Sequence, residues 1–128
     1  MIKSTSLTAF LLATLGAGLL FIGWPTSPAV CFLFVGWIPF LLLEELPLNG
    51  LGRFIWRYWG LVLWNAACTW WVCNASLEGG IAAILLNSLL MSIPFGLARI
   101  VRRYWGQVAS WISWIIFWLA FEKIHLTW

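Results

Sequence analysis

Long apolar runs without a single charge alternate with short connections that carry the charged residues. Positions 4–43, 58–77, 79–98 and 104–121 contain no Asp, Glu, Lys or Arg. A helix needs about 20 apolar residues to cross a bilayer core, so the first run holds two spans and each of the others one. The pattern predicts an all-α integral membrane protein with five transmembrane helices, over 6–23, 29–43, 58–73, 79–100 and 107–121.

Local signals refine this outline. Ala9, Ala13 and Ala17 recur every four residues and form a small-residue stripe along which a neighbouring helix approaches closely. Trp24, Pro25, Thr26, Ser27 and Pro28 make the first outer turn, because proline cannot continue the backbone ladder and tryptophan favours headgroup depth. Pro39 and Pro94 predict kinks in the second and fourth helices. The stretch 44–57 is the longest polar connection; its mixture of Arg53, Arg57, Phe54 and Trp56 suits a segment lying along the inner membrane surface. Asn65, Asn87 and Ser88 fall at membrane depth, where polar side chains find partners across helices.

Composition agrees, with 63% hydrophobic residues, 9% charged residues and a mean hydropathy of +0.96. A chain of 128 residues with five spans has no room for a soluble domain as well. The net charge of +3 comes from basic residues too scattered for nucleic acid. Their placement follows the positive-inside bias instead. With the N-terminus cytoplasmic, Lys3, Arg53, Arg57, Arg99, Arg102 and Arg103 lie inside and only Lys123 outside. The C-terminus is then periplasmic. Lys3 followed by an apolar run imitates a secretory signal, but no clear small-x-small cleavage site precedes Pro25, the following residues continue at membrane hydrophobicity, and the run reads as a retained first helix.

Candidate chemistry is sparse. The chain has no phosphate loop, paired carboxylates, metal-ligand spacing or cofactor motif. Cys31, Cys68 and Cys73 read as small apolar packing residues, and Asn74-Ala75-Ser76 as an incidental sequon. Of the twelve tryptophans, Trp24, Trp56, Trp59, Trp105 and Trp128 fall at expected interfacial belts. Trp111, Trp114 and Trp118 share a helix face that either packs against helices and bilayer, the ordinary reading, or lines a lipid-facing groove.

Several segments together resemble apolipoprotein N-acyltransferases, in the form associated with Bacteroidetes-type bacteria. They are Gly18-Leu19-Leu20, Trp24-Pro25 and Gly36-Trp37-Ile38-Pro39-Phe40-Leu41-Leu42-Leu43. Trp70, Asn74 and Gly79-Gly80 follow, and Phe117-Trp118-Leu119-Ala120-Phe121-Glu122 with Trp128 completes the set. The family's usual arginine-glycine after that glutamate is absent here. The resemblance implies a multi-pass protein of the bacterial cytoplasmic (inner) membrane. The family's enzymes have eight membrane helices and a periplasmic nitrilase-like domain with a Glu-Lys-Cys triad. They transfer an acyl chain from a phospholipid to the N-terminal diacylglyceryl-cysteine of a lipoprotein. The 128 residues match the N-terminal membrane part, so the resemblance implies a fragment without the nitrilase-like domain or any catalytic residue of its own. Trp70, Trp71, Asn74, Glu122 and Trp128, on the outer side, are the candidate lipid- or substrate-binding residues. Implied partners are membrane phospholipids, lipoprotein substrates and the remainder of the enzyme.

A second reading is a non-catalytic membrane scaffold or subunit, with Asn65, Asn87 and Ser88 pairing to another protein. A third has Cys73, Glu122, Lys123 and His125 carrying chemistry of their own; Cys73, read as buried among apolar residues, would be inert there. A transporter is disfavoured because no Asp, Glu, Lys or Arg falls inside the expected spans apart from Arg99 at the inner end of the fourth.

Overall fold

The computed structural model describes residues 2–24 and 28–127, with Ile2 and Lys3 described by backbone alone. The described residues are helical, with no strand among them. The helices are α1 (Ile2–Ile22), α2 (Phe32–Val35), α3 (Trp37–Glu45), α4 (Gly50–Thr69), α5 (Leu77–Met91) and α6 (Ile93–His125). A 3-10 turn over Trp70–Asn74 follows α4. Two segments, Ser4–Ile22 and Leu77–His125, are long and apolar enough to cross a membrane, with mean hydropathies of 1.9 and 2.0. The chain divides into two compact units, Met1–Ser88 and Leu89–Trp128.

In the first unit, α1 packs on α3 and α4 through small residues. Ala9, Ala13 and Ala17 are all buried, as the four-residue stripe predicts. A methyl group added to Gly60 would lie 2.8 Å from the Ala13 carbonyl oxygen and 2.8 Å from the Phe40 ring. One added to Gly16 would lie 2.6 Å from the same ring. Three backbones therefore converge on Phe40, which is fully buried. Around this seam, Phe10 packs edge-on against Trp56 at 5.8 Å, and Trp37 meets Trp64 edge-on at 5.5 Å.

The prolines act one turn upstream of where they stand. The helix expected over 29–43 is interrupted at Gly36, between α2 and α3. Pro39 has no N–H to offer the Val35 carbonyl, and it sits in the first turn of α3, where that loss is tolerated. Likewise the helix expected over 79–100 is interrupted at Ser92, and Pro94 lies in the first turn of α6. Gly36 and Ser92 keep helical dihedrals (φ −62°, ψ −21° and φ −76°, ψ −17°), so each interruption loosens the ladder without reversing the chain.

One expectation needs correction. The stretch 44–57 is not one long connection. Glu44 and Glu45 belong to the last turn of α3, and α4 begins at Gly50 rather than Tyr58. Asn49, in extended conformation (φ −67°, ψ 166°), caps α4 by accepting the Gly52 N–H at 2.7 Å. Starting the helix there places Arg53 and Arg57 one turn apart on its inward side.

The second unit is a helical hairpin. Gly106 has φ 83° and ψ −173°, which is open to glycine and strained for other residues. On one continuous helix Phe95 and Trp114 would lie on the order of 28 Å apart; their ring centroids are 5.3 Å apart. Trp118 joins them edge-on at 6.4 Å from Phe95, and the Ser110 hydroxyl donates to the Ala98 carbonyl at 2.9 Å. Trp114 and Trp118 are buried, whereas Trp111 remains 41% exposed. The aromatic face thus divides: Phe95 covers two of its tryptophans and leaves the third open.

Candidate functional site

The positions singled out from sequence fall in different units. Trp70, Trp71 and Asn74 lie together on the 3-10 turn that ends α4, with the two indoles 62% and 60% exposed. Asn74 is also exposed. The turn is backed by the start of α5. A methyl group on Gly80 would come within 2.5 Å of the Cys73 sulfur, so only glycine lets the two segments meet. Ser76 caps α5, accepting the Gly79 N–H at 3.2 Å through its hydroxyl. Glu78 lies in the first turn of α5, where the helix dipole favours a carboxylate. Cys73 is half-buried, not enclosed among apolar residues as the sequence reading had it.

In the second unit, the Trp118 indole N–H donates to Glu122 Oε1 at 2.7 Å. The two residues are four apart on α6, the spacing that brings side chains together on a helix. Trp118 is buried and Glu122 exposed, so the indole holds an outward-facing carboxylate in one orientation. One turn on, His125 stacks on Phe121 at 5.6 Å. Trp128 lies outside the described residues.

Two buried polar centres lie in the first unit. In one, the Asn65 amide donates to the Leu61 carbonyl at 2.9 Å and to the Ser88 hydroxyl at 3.1 Å. The Asn87 amide donates to Asn65 Oδ1 at 2.7 Å, and Ser88 donates to the Ile84 carbonyl at 2.7 Å. The three polar residues therefore pair with one another across α4 and α5. These bonds supply within the chain contacts that the scaffold reading would draw from another protein. Asn65→Ala should destabilise the chain by about 1–2 kcal/mol, since buried acceptors and donors on α5 lose their partner; thermal unfolding in detergent measures it.

The other centre was missed in the sequence. Arg57 Nη1 donates to Glu44 Oε1 at 2.6 Å. Arg53 Nε lies 3.8 Å from Glu44 Oε2, close enough for ion pairing but too far for a hydrogen bond. The Arg53 Nη2 group donates to the Leu46 and Leu48 carbonyls, both at 2.8 Å. The Arg53 and Arg57 side chains are 6% and 8% exposed and that of Glu44 13%. The guanidinium of Arg57 also lies 5.6 Å from the Phe54 ring centroid. This arrangement fastens the α3–α4 connection. Its signal in the sequence was Asn49 as a helix cap, which sets Arg53 and Arg57 on one face opposite Glu44.

What the molecule presents, then, is an apolar helical protein with an exposed tryptophan pair on one turn and an oriented carboxylate on a hairpin arm. Its sequence is similar to that of an acyltransferase. Over 120 residues it is 29% identical to apolipoprotein N-acyltransferase of Chlorobaculum tepidum, an alignment covering 91% of this chain and 22% of that protein. The chain thus spans about a fifth of the length of the curated relative it matches. No protein-family model matches the sequence, and no solved structure matches it.

Proposed function

We propose that the chain forms the N-terminal membrane part of a lipoprotein N-acyltransferase in the bacterial inner membrane. In this reading five helices cross the bilayer: α1, α2 with α3, α4, α5 with the first arm of α6, and the second arm of α6. The N-terminus is cytoplasmic and the C-terminus periplasmic. The bundle anchors the enzyme and shapes the lateral entrance through which acyl-donor phospholipids and lipoproteins reach a periplasmic nitrilase-like domain. The acyl chain would pass from a phospholipid to a cysteine of that domain, then to the α-amino group of the lipoprotein's diacylglyceryl-cysteine. Trp70, Trp71, Asn74, Glu122 and Trp128 would meet lipid or substrate at the outer face. The observation that carries the reading is the similarity to the Chlorobaculum tepidum enzyme, which runs through nearly the whole chain.

Two experiments test it. Sequencing the native locus beyond codon 128 should show an open frame entering a nitrilase-like stretch with Glu, Lys and Cys; a stop codon would overturn the enzyme reading in favour of a free-standing membrane subunit. Alkaline phosphatase fused after Ser76 or Leu126 should be active, and after Asn49 or Trp105 inactive. The inverse pattern would overturn the orientation.

A further inference from the structure

In the second unit, Trp118, Phe121, Glu122 and His125 stand at i, i+3, i+4 and i+7 on α6 and share one face of its final turns. The rings follow one another along that face: Phe121 lies 5.8 Å from Trp118, and His125 stacks on Phe121 at 5.6 Å. Glu122 stands beside them, exposed, with Oε1 held at 2.7 Å by the indole N–H of the buried Trp118. It is also the only acidic residue in the sequence of this unit.

The carboxylate has the wrong sign for its place. It lies in the last turn of α6, where the negative end of the helix dipole disfavours an anion and favours a cation. Lys123 follows it directly, but neighbours at i and i+1 do not face each other on a helix. Among the described residues Glu122 forms no ion pair. Trp118 spends its one donor on Oε1, which leaves Oε2 as an acceptor. The oriented carboxylate, the helix end and the half-buried Phe121 ring all attract positive charge.

We propose that this face of α6 is a binding site for the primary ammonium group of a lipid, with Glu122 as its anchor and Trp118 positioning the carboxylate. The proposal rests on the membrane reading above, in which the end of α6 lies at the outer headgroup level. A primary ammonium has three N–H donors and meets a carboxylate through charge-assisted hydrogen bonds. A quaternary ammonium carries the same charge without an N–H, so it forgoes the bond to Oε2. Two kinds of lipid offer the primary group: phosphatidylethanolamine through its headgroup, and a diacylglyceryl-cysteine peptide through its free N-terminus.

The test uses the full chain, purified in detergent, with native mass spectrometry reading the lipid it retains. One arm offers equal phosphatidylethanolamine and phosphatidylcholine, which match in net charge and differ in N–H donors. The other offers a synthetic diacylglyceryl-cysteine peptide with its α-amino group free or acetylated. The primary amine should be preferred by about threefold, the worth of an exposed ion pair, in at least one arm. Preference in the first arm alone assigns the headgroup, in the second alone the peptide N-terminus, and in both the ammonium whatever its carrier. Glu122→Gln removes the charge and keeps an oxygen to accept the indole N–H, so it should abolish the preference. Trp118→Phe keeps the charge and releases the carboxylate, so it should weaken the preference. Glu78→Gln, at the other outer-side acid, should leave it unchanged. No preference in either arm would overturn the site, as would a Glu122→Gln chain as selective as the parent. Extraction of the chain from membranes by alkaline carbonate would overturn the membrane reading and this site with it. A chain that resists carbonate but shows no preference defeats the site alone.

Discussion

Glu44→Ala should be the most damaging single substitution in the first unit, costing about 3–5 kcal/mol of stability. The carboxylate takes a 2.6 Å hydrogen bond from Arg57 and faces Arg53 at 3.8 Å, with all three side chains largely withdrawn from solvent. Removing it leaves two guanidinium groups in a low-dielectric site without their counter-charge, and the desolvation already spent on them is no longer offset. The effect should extend to the α3–α4 connection, because Arg53 also holds the Leu46 and Leu48 carbonyls. Thermal unfolding of the purified protein in detergent, followed by circular dichroism, measures the loss. The informative control is Glu44→Leu with Arg57→Met. Taking out both charges and keeping their volume should cost markedly less than Glu44→Ala alone, since apolar replacements of buried ion pairs are often near neutral. A Glu44→Ala protein that melts with the parent would show that water reaches the cluster and screens it.

This cluster also shows what sequence reading caught and what it passed over. Apolar runs and small-residue spacing are local quantities, and Ala9, Ala13 and Ala17 are buried where that spacing puts them. The Trp118–Glu122 pair is legible for the same reason, being one helical turn apart. Arg53 and Arg57 were treated as surface charges, because charge bias along a membrane chain counts arginines without asking what stands opposite them. Their burial depends on Glu44, which belongs to another helix, and on Asn49, whose cap sets the rotation of α4. Likewise, the depth of Asn65, Asn87 and Ser88 was evident from hydropathy. That they pair with one another was not, since their pairing is set by how α4 and α5 face each other. The tryptophans at 70 and 71 show the converse case. Resemblance to a family singles out Trp70, and a place near the outer face singles out Trp71; that both indoles lie exposed on a 3-10 turn at the end of α4 is something nothing in their composition announces.

Gly60→Val should be the second severe change, lowering stability by about 3 kcal/mol through overpacking. The first carbon of the new side chain would stand 2.8 Å from the Ala13 carbonyl oxygen and 2.8–2.9 Å from two atoms of the Phe40 ring. A ring can rotate away from such a contact, but a carbonyl on α1 moves only with its helix. Phe40 is itself fully enclosed, and Gly16 of α1 approaches the same ring from another side, so the ring has little room to yield. The strain must therefore separate α1 from α4 along the seam that Ala9 and Ala13 form. Gly96→Val provides the comparison. Nothing lies within 4 Å of the position a side chain would take at Gly96, which is also in a helix. Its substitution should register only the small difference in helix propensity, a few tenths of a kcal/mol. A large gap between the two melting temperatures would place the cost in close backbone approach; equal melting temperatures would mean that the tight α1–α4 seam has to be given up.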